Sequence, residues 1–338
     1  MKRPSGGSEQ RSIVTVMTQN LYLGAELAPI FIAKSEADMV AAAAAAWEQV
    51  QASEIEQRAG RIAEVIAAEA PDLVALQEAA QWLAVRASAM TLRYDFLLSI
   101  LRAIHALGAF YVPIAISRNL DRTAPIDIGG TQVRIVDRDA VLLKISDPVS
   151  WVRPFNIQSE SFATLMPITS PAMGTMTVPR SWIAIDALID KREFRFVNTH
   201  LESYDARVQM AQAAELIAGA CDTNLPVIIA GDFNSNANQQ PGDARENDKK
   251  AAYSHLVASG LQDVWASMNP GDPGDTCCQR ADLMNDASAL FERIDLVLTR
   301  GGVTPIGAKL AADQPDVRTA SGRWPSDHAG IVAKLRIG

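Results

Sequence analysis

The chain of 338 residues is poor in several features that would place it in a large class at once. Three cysteines are too few for a disulfide framework. Cys221 stands alone, and Cys277 and Cys278 are adjacent. Without the usual spacing or a nearby histidine they make no thiolate metal site, which leaves three plain thiols or a bond within the vicinal pair. Positive charge is scarce: Lys+Arg 31 against Asp+Glu 39 gives a net charge of -8, and no polybasic run occurs. That balance disfavours a protein that gains affinity from non-specific phosphate contacts along a nucleic acid. A small substrate or a lipid head group asks only for a local positive site. No apolar run is long enough to span a bilayer. Ala41 to Ala46 is short, poor in large side chains and followed by Glu48. The first ten residues are polar with no apolar core, so no secretory leader is read in the sequence as given. The compartment stays unknown: cytoplasmic, or secreted if the start was trimmed.

What is present is apolar sequence in short runs. With 48% hydrophobic residues the chain can bury a sizeable core. Residues 1–10 read as a disordered start and 11–338 as one domain, since neither a linker nor a repeat interrupts them. Strands are expected at Val14 to Thr18, Asp72 to Leu76, Tyr111 to Ile116 and Trp151 to Ile157. A hairpin is expected from Val133–Val136 and Ala140–Ile145 through Asp137, Arg138 and Asp139. A pair is expected from Trp182–Leu188 and Glu193–Thr199, and further strands at Val227, Ile294–Thr299 and Ile331–Ile337. Helices are expected after Ser35, where Asp38 three residues on gives a capping signal, and over Leu92–Ala106, Arg207–Ala220 and Lys249–Ser259. Strands outnumber helices and do not alternate simply with them. The fold class read from this is α/β (α+β), with two packed mixed sheets flanked by helices.

Several runs end on a polar residue. Asn20 follows Val14–Thr18 and Gln19, Glu78 follows Leu73–Leu76 and Gln77, His200 follows Phe194–Val197, and Asp232 follows Val227–Ala230. A polar residue at the mouth of a buried strand is expensive unless it serves a site. Several such ends converging on one rim would gather oxygen donors and imidazoles, a composition suited to hard metals and phosphate. Asp232 and Asn234 lie two apart and share a side if the segment stays extended. His200 and His328 are two of only four histidines.

The motifs Gln19-Asn20, Gln77-Glu78, Asn198-Thr199-His200, Gly231-Asp232-Phe233-Asn234, Arg293-Ile294-Asp295 and Ser326-Asp327-His328 stand in one order along nearly the whole chain. In that order they resemble the endonuclease/exonuclease/phosphatase superfamily, the DNase I-like phosphoesterases. The resemblance implies a four-layer sandwich and hydrolysis of a phosphate ester with a divalent cation, Mg²⁺ or alternatively Mn²⁺. It implies Asn20, Glu78 and Asp327 at the metal. Asp232 would orient or deprotonate the attacking water, Asn234 would hold phosphate or water, and His200 and His328 would contact the phosphate, with Asp295 orienting His328. Arg138-Asp139-Ala140-Val141 resembles the family's Arg-acidic-Ala-Val strand, which implies that Arg138 reaches the phosphate. No carboxylate stands out as a partner for His200.

Three segments are candidates for selecting the substrate: Leu21–Ser53, Phe162–Pro179 and Asn269–Asp286. The second holds Met166, Met173 and Met176 with three prolines and suits apolar parts of a ligand. Arg180 and Arg207 are further anion contacts to consider. The expected function is therefore a Mg²⁺-dependent phosphodiesterase or phosphatase acting on a small-molecule or lipid-linked phosphoester. A DNase I-like or abasic-site endonuclease is the alternative, and a non-catalytic binding module the remote one.

Overall fold

Alternation along the strands decides the architecture. In β1 (Ile13–Asn20), Val14 and Val16 point to one core, and Met17 points to another. The structure is a computed structural model that describes residues 12–86, 89–123, 132–145, 152–171, 174–239 and 250–338. Residues 1–10, Trp151 and Met173, on which sequence expectations also fell, lie outside the described residues. From β1 the chain passes the short α1 (Ala28–Phe31) into α2 (Glu36–Ala52) and α3 (Ile55–Glu69). The Ser35 hydroxyl caps α2 by accepting from the Asp38 amide at 3.1 Å. Then come β2 (Leu73–Gln77), β3 (Gln81–Arg86), β4 (Ala89–Asp95) and α4 (Phe96–Ala106), followed by β5 (Tyr111–Thr123) and β6 (Gln132–Lys144).

The next block is β7 (Arg153–Ser161), the hairpin of β8 (Met166–Ser170) and β9 (Gly174–Val178), β10 (Ser181–Ile189) and β11 (Arg192–His200). It is followed by α5 (Ala206–Ala218), β12 (Val227–Asp232) and α6 (Ala251–Ala258). The chain closes with β13 (Gln262–Asp263), α7 (Val264–Met268), β14 (Asp295–Arg300), β15 (Val303–Ala311) and β16 (Gly330–Ile337).

One sheet runs β15-β16-β1-β2-β6-β3-β4, with β5 also paired to β6, and the other runs β13-β14-β12-β11-β10-β7. Both mix parallel and antiparallel pairs: β1 is parallel to β2 and antiparallel to β16, and β12 is parallel to β11 and antiparallel to β14. Val16, Leu73, Val141, Ile185, Phe196 and Ile228 fill the space between the sheets. Met17, Val74 and Leu76 instead meet Ile62, Ile66 and Ile100 of α3 and α4 on the outer face. Val227, Ile229 and Leu296 meet Leu216 of α5 and Leu256 of α6 on the opposite outer face. Helix, sheet, sheet, helix is the four-layer α/β sandwich expected from the sequence.

The expected hairpin at Asp137–Asp139 does not form. β6 runs unbroken through all three, each of which is buried. The polar triplet reads as a turn, yet its side chains are absorbed on either face of a 13-residue strand. The helix expected from Leu92 begins at Phe96, where the Asp95 carboxylate accepts from the Leu98 amide and caps it. No helix among the described residues is long and apolar enough to cross a membrane.

Candidate active site

Strand register gathers the expected residues. His200 stands opposite Asp232 in the β11–β12 pair, and Asp232 stands opposite Asp295 in the β12–β14 pair. The three make one row across the end of the second sheet. In the first sheet Asn20 stands opposite Gln77, and Glu78 follows. Asn198 ties the two sheets beneath the site. Its Oδ1 accepts from Gln77 Nε2 at 2.8 Å, and its Nδ2 donates to the carbonyls of Leu76 at 3.2 Å and Ala140 at 3.0 Å. Gly231 is demanded by close approach, because a Cβ there would lie 2.2 Å from the Thr199 carbonyl oxygen.

The rows open into a cleft of about 550 Å³. Glu78, His200, Asp232, Asn234, Asp327 and His328 line its polar side together with Asp137 and Arg180. Three of its lining residues hold left-handed backbone, Tyr22 at φ 54, Glu78 at φ 55 and Asn234 at φ 50. For Tyr22 and Glu78 that conformation is unfavourable, and its concentration around one cleft is typical of functional sites. The segment after Asp232 therefore does not stay extended. The Asn234 amide folds back to donate to Asp232 Oδ1 at 2.8 Å, while its side chain donates to the Leu201 carbonyl.

His328 Nδ1 pairs with Asp295 Oδ2 at 2.8 Å, both side chains being almost wholly buried. Burial alone would press the His328 pKa down, but Asp295, Asp327 and Asp232 outweigh it and keep the imidazole protonated well above its ordinary range. Burial pushes Asp295 up to about 6 against the opposing His328 charge, so the pair is ionic at neutral pH. Thr276 fixes the strand beneath, its Oγ1 accepting from the Ile294 and Asp295 amides at 3.1 and 3.0 Å. Asp232 is held ionised. Burial raises it, yet His200, His328, the Asn20 amide at 2.9 Å and the Asn234 N–H bring it below the usual carboxylate range.

His200 does have carboxylate neighbours. Asp139 Oδ1 lies 3.8 Å from Nδ1, and Asp232 Oδ2 lies 3.5 Å from Nε2. Burial and Arg180 lower the His200 pKa, and these two carboxylates raise it by more. In the sequence Asp139 stands only in the expected hairpin turn and in the Arg138 motif, with no site role. Strand alternation puts it on the site face and Arg138 on the other. Arg138, expected on the phosphate, is thus turned away: its Nε donates to the Ala79 carbonyl at 2.8 Å and its Nη2 to Asp95 at 2.6 Å, and it does not line the cleft. The arginine that does is Arg180, whose Nη1 lies 3.0 Å from the His200 ring nitrogens. Arg207 is exposed and paired with Asp205. Asp137 and Glu202 are further buried carboxylates of this region not singled out in the sequence. Burial first, then Asp139 and Glu78, push Asp137 up to about 7. Glu202 sits two residues after His200 and accepts from the amides of Ser203 and Tyr204. Its distance from His200 was the one available signal.

All three segments considered for substrate selection reach the cleft, through Leu23, Leu27 and Phe31, through Val178 and Pro179, and through Cys278. Cys278 is joined to Cys277 as a vicinal disulfide. Phe31 meets Tyr204 edge to face at 6.4 Å between centroids.

Two donor sets concern a divalent cation. Asp232, Asp295 and His328 place ligand atoms within 4.8 Å of one another. Their closest contact, however, is the His328–Asp295 hydrogen bond, which takes up the imidazole nitrogen. Glu78 and Asp327 offer oxygen only. Burial pushes Asp327 up to about 6, with Glu78 adding to the rise and the His328 charge opposing it. Like charges facing each other over hard oxygen donors fit a cation such as Mg²⁺. Asn20 lies beneath them, its Oδ1 accepting from the Tyr22 amide at 2.9 Å and its Nδ2 holding Asp232.

This row of acid and imidazole stands at the strand ends of a four-layer sandwich. The chain matches the Endonuclease/Exonuclease/phosphatase family over residues 17–328, and it belongs to that family. Among solved structures it is similar to an endonuclease/exonuclease/phosphatase from Beutenbergia cavernae, with 19% identity, a TM-score of 0.59, and 97% of this chain and 72% of that one covered. It is also similar to D. rerio TDP2 complexed with single strand DNA product (16%, TM-score 0.54, 96% and 99% covered). A third is the mannosyl-6-phosphatase of Bacteroides thetaiotaomicron (15%, TM-score 0.55, 95% and 99% covered). These likenesses support the fold. No curated protein matches the sequence.

Proposed function

We propose that the chain is a Mg²⁺-dependent phosphodiesterase or phosphatase acting on a small-molecule or lipid-linked phosphoester. One observation carries the substrate class. Beside its polar floor the cleft has a wall of Leu23, Leu27, Phe31, Leu120, Val178 and Tyr204, and Arg180 is the only basic Lys or Arg side chain among its described lining residues. A site that tracks a polynucleotide needs a line of cations and stacking platforms. One arginine over an apolar wall suits a single phosphate with an apolar or compact leaving group.

The geometry supports the following roles. Asp232, held ionised by its neighbours, orients the attacking water and takes its proton, with Asn234 beside it. His328 donates to a non-bridging phosphate oxygen, and Asp295 keeps that imidazole charged and aimed. His200 and Arg180 stabilise the developing charge from the opposite side, where preorganised donors have their largest effect. Glu78 and Asp327, with Asn20 beneath, would hold the cation, which when bound polarises a phosphoryl oxygen and steadies the leaving oxygen.

The test is hydrolysis of bis-(p-nitrophenyl) phosphate and p-nitrophenyl phosphate with Mg²⁺, Mn²⁺ or EDTA, beside nicking of plasmid DNA. Metal-dependent release without nicking supports the proposal, and the faster ester separates diesterase from monoesterase. Nicking at low enzyme, lost with EDTA and in Asp232→Asn, replaces it with a nuclease. The structures of TDP2 with DNA and of a sugar phosphatase make that contrast the informative one.

A further inference from the structure

Arg58 of α3 is fully buried, and among the described residues no carboxylate forms an ion pair with it. Burying a cation without a counter-ion is costly, so its hydrogen bonds must carry the reason for its presence. All of them go to backbone carbonyls of two segments that are far apart in sequence. Nε donates to Pro325 at 2.9 Å, and Nη2 donates to Tyr22 at 2.8 Å and also to Leu21. The guanidinium lies between the rings of Tyr22 and Phe96, with its carbon 5.3 and 4.9 Å from their centroids. Burial pulls its pKa down to about 10, with Asp327, Tyr22 and Glu78 opposing the fall.

The two segments are the ones that aim Glu78 and Asp327. The Tyr22 carbonyl and the Leu23 amide belong to one planar peptide group. Its oxygen faces Arg58, and its N–H donates to Glu78 Oε2 at 2.8 Å. On the other side Pro325 precedes Ser326, whose hydroxyl donates to the Asn20 carbonyl at 2.7 Å, and then Asp327. A shift of the guanidinium would therefore turn the peptide that orients one carboxylate and move the segment that carries the other.

We propose that Arg58 is a positioning residue for the cation site: through the Tyr22–Leu23 peptide and Pro325 it fixes Glu78 and Asp327 relative to each other. This rests on the assignment of those carboxylates to the cation. A fork is required, because three carbonyls on two segments are engaged by two nitrogens of one rigid plane. A lysine in its place keeps the charge and the stem but not the fork.

The test compares the wild type with Arg58→Lys, Arg58→Ala and Phe96→Leu. Mg²⁺ binding is read by calorimetry, backbone exposure at residues 21–23 and 325–328 by hydrogen exchange, and turnover on the better p-nitrophenyl ester. Arg58→Lys is expected to weaken Mg²⁺ binding at least about tenfold, to lower kcat with little change in KM, and to speed exchange in both segments. Ethylguanidinium at millimolar concentration is expected to restore part of the Mg²⁺ affinity of Arg58→Ala, an effect that a purely structural role does not produce. Phe96→Leu loosens the seat of the guanidinium without removing any of its hydrogen bonds. It is expected to show the same pattern several-fold weaker, which keeps the proposal falsifiable if the Arg58 variants do not fold. Mg²⁺ affinity and segment exchange within twofold of wild type in any folded Arg58 variant, or in Phe96→Leu alone if no Arg58 variant folds, would overturn it. No Mg²⁺ binding by the wild type itself would instead refute the cation assignment, while the exchange data still decide whether Arg58 locks the two segments.

Discussion

The two sides of the cleft are built differently. On the second sheet, His200, Asp232 and Asp295 stand opposite one another in one cross-strand row with almost no exposure, so strand register fixes their spacing. On the first sheet, Tyr22 and Glu78 leave their strands in left-handed backbone, and Asp327 lies on a loop with its side chain 21% exposed. These positions are set by bridging hydrogen bonds such as Ser326 to Asn20 and Leu23 to Glu78. A row of strand residues suits groups that must hold a water and a phosphate in one geometry. Turns suit donors that settle around an ion and retain some freedom.

The comparison can be broken first at the row and at His328, which comes from the loop before β16 and is held to the row by Asp295. Asp232→Asn or His328→Ala should reduce kcat by at least about 100-fold with the far-UV spectrum unchanged, given the usual size of general-base and electrostatic contributions. Near-wild-type turnover in either purified variant removes that residue from the chemistry. Next, the two arginines separate site from scaffold. Arg180→Gln should lower kcat/KM about tenfold or more. Arg138→Gln, which breaks the buried link to Asp95, should leave kcat within about twofold and lower the melting temperature, as loss of one partner of a buried pair does.

A third measurement is the pH profile of kcat/KM. Asp295 is pushed up to about 6 by burial, so protonation as the pH falls through that value discharges the partner of His328 and activity declines. His328 is raised above its ordinary range, so activity should hold through neutrality and fall only when the imidazole loses its proton at higher pH. Asp295→Asn should bring the alkaline limb down in pH; an unmoved limb would show that the pair does not control it. On the looser side, Glu78→Gln should shift the Mg²⁺ titration to higher concentration with a smaller fall in kcat at saturation. An unchanged curve removes Glu78 from the ligands. The smallest effect on catalysis and the clearest on stability is expected for Asn198→Leu. It leaves the Gln77 amide and two carbonyls short of a partner beneath the site, at about 1–3 kcal/mol for each group truly stranded. Its urea midpoint should fall with an unchanged slope.

The sequence was most readable where a single element carries the meaning. Apolar runs with a polar end gave β1, β2, β11 and β12 and the residues at their mouths, because burial and alternation are local signals. It was least readable where meaning lies across strands. Asp137, Arg138 and Asp139 look like a turn in one dimension. Only the β6 register shows that Asp139 meets His200 while Arg138 meets Asp95. The same holds for Arg58, whose partners lie 36, 37 and 267 positions away. Tertiary pairing at such separations leaves no trace in local composition.

The pairing of β1 with β16, from Ile13 opposite Arg336 to Thr18 opposite Ile331, also has a consequence for biosynthesis. β1 lies between β2 and β16, so β1 keeps one open edge until β16 has emerged. At about 5–20 residues per second that edge is bare for tens of seconds, a period in which stray pairing with another chain is a hazard. His328 arrives in the same final stretch. A chain made only as far as β15 therefore carries Asp232 and His200 without His328.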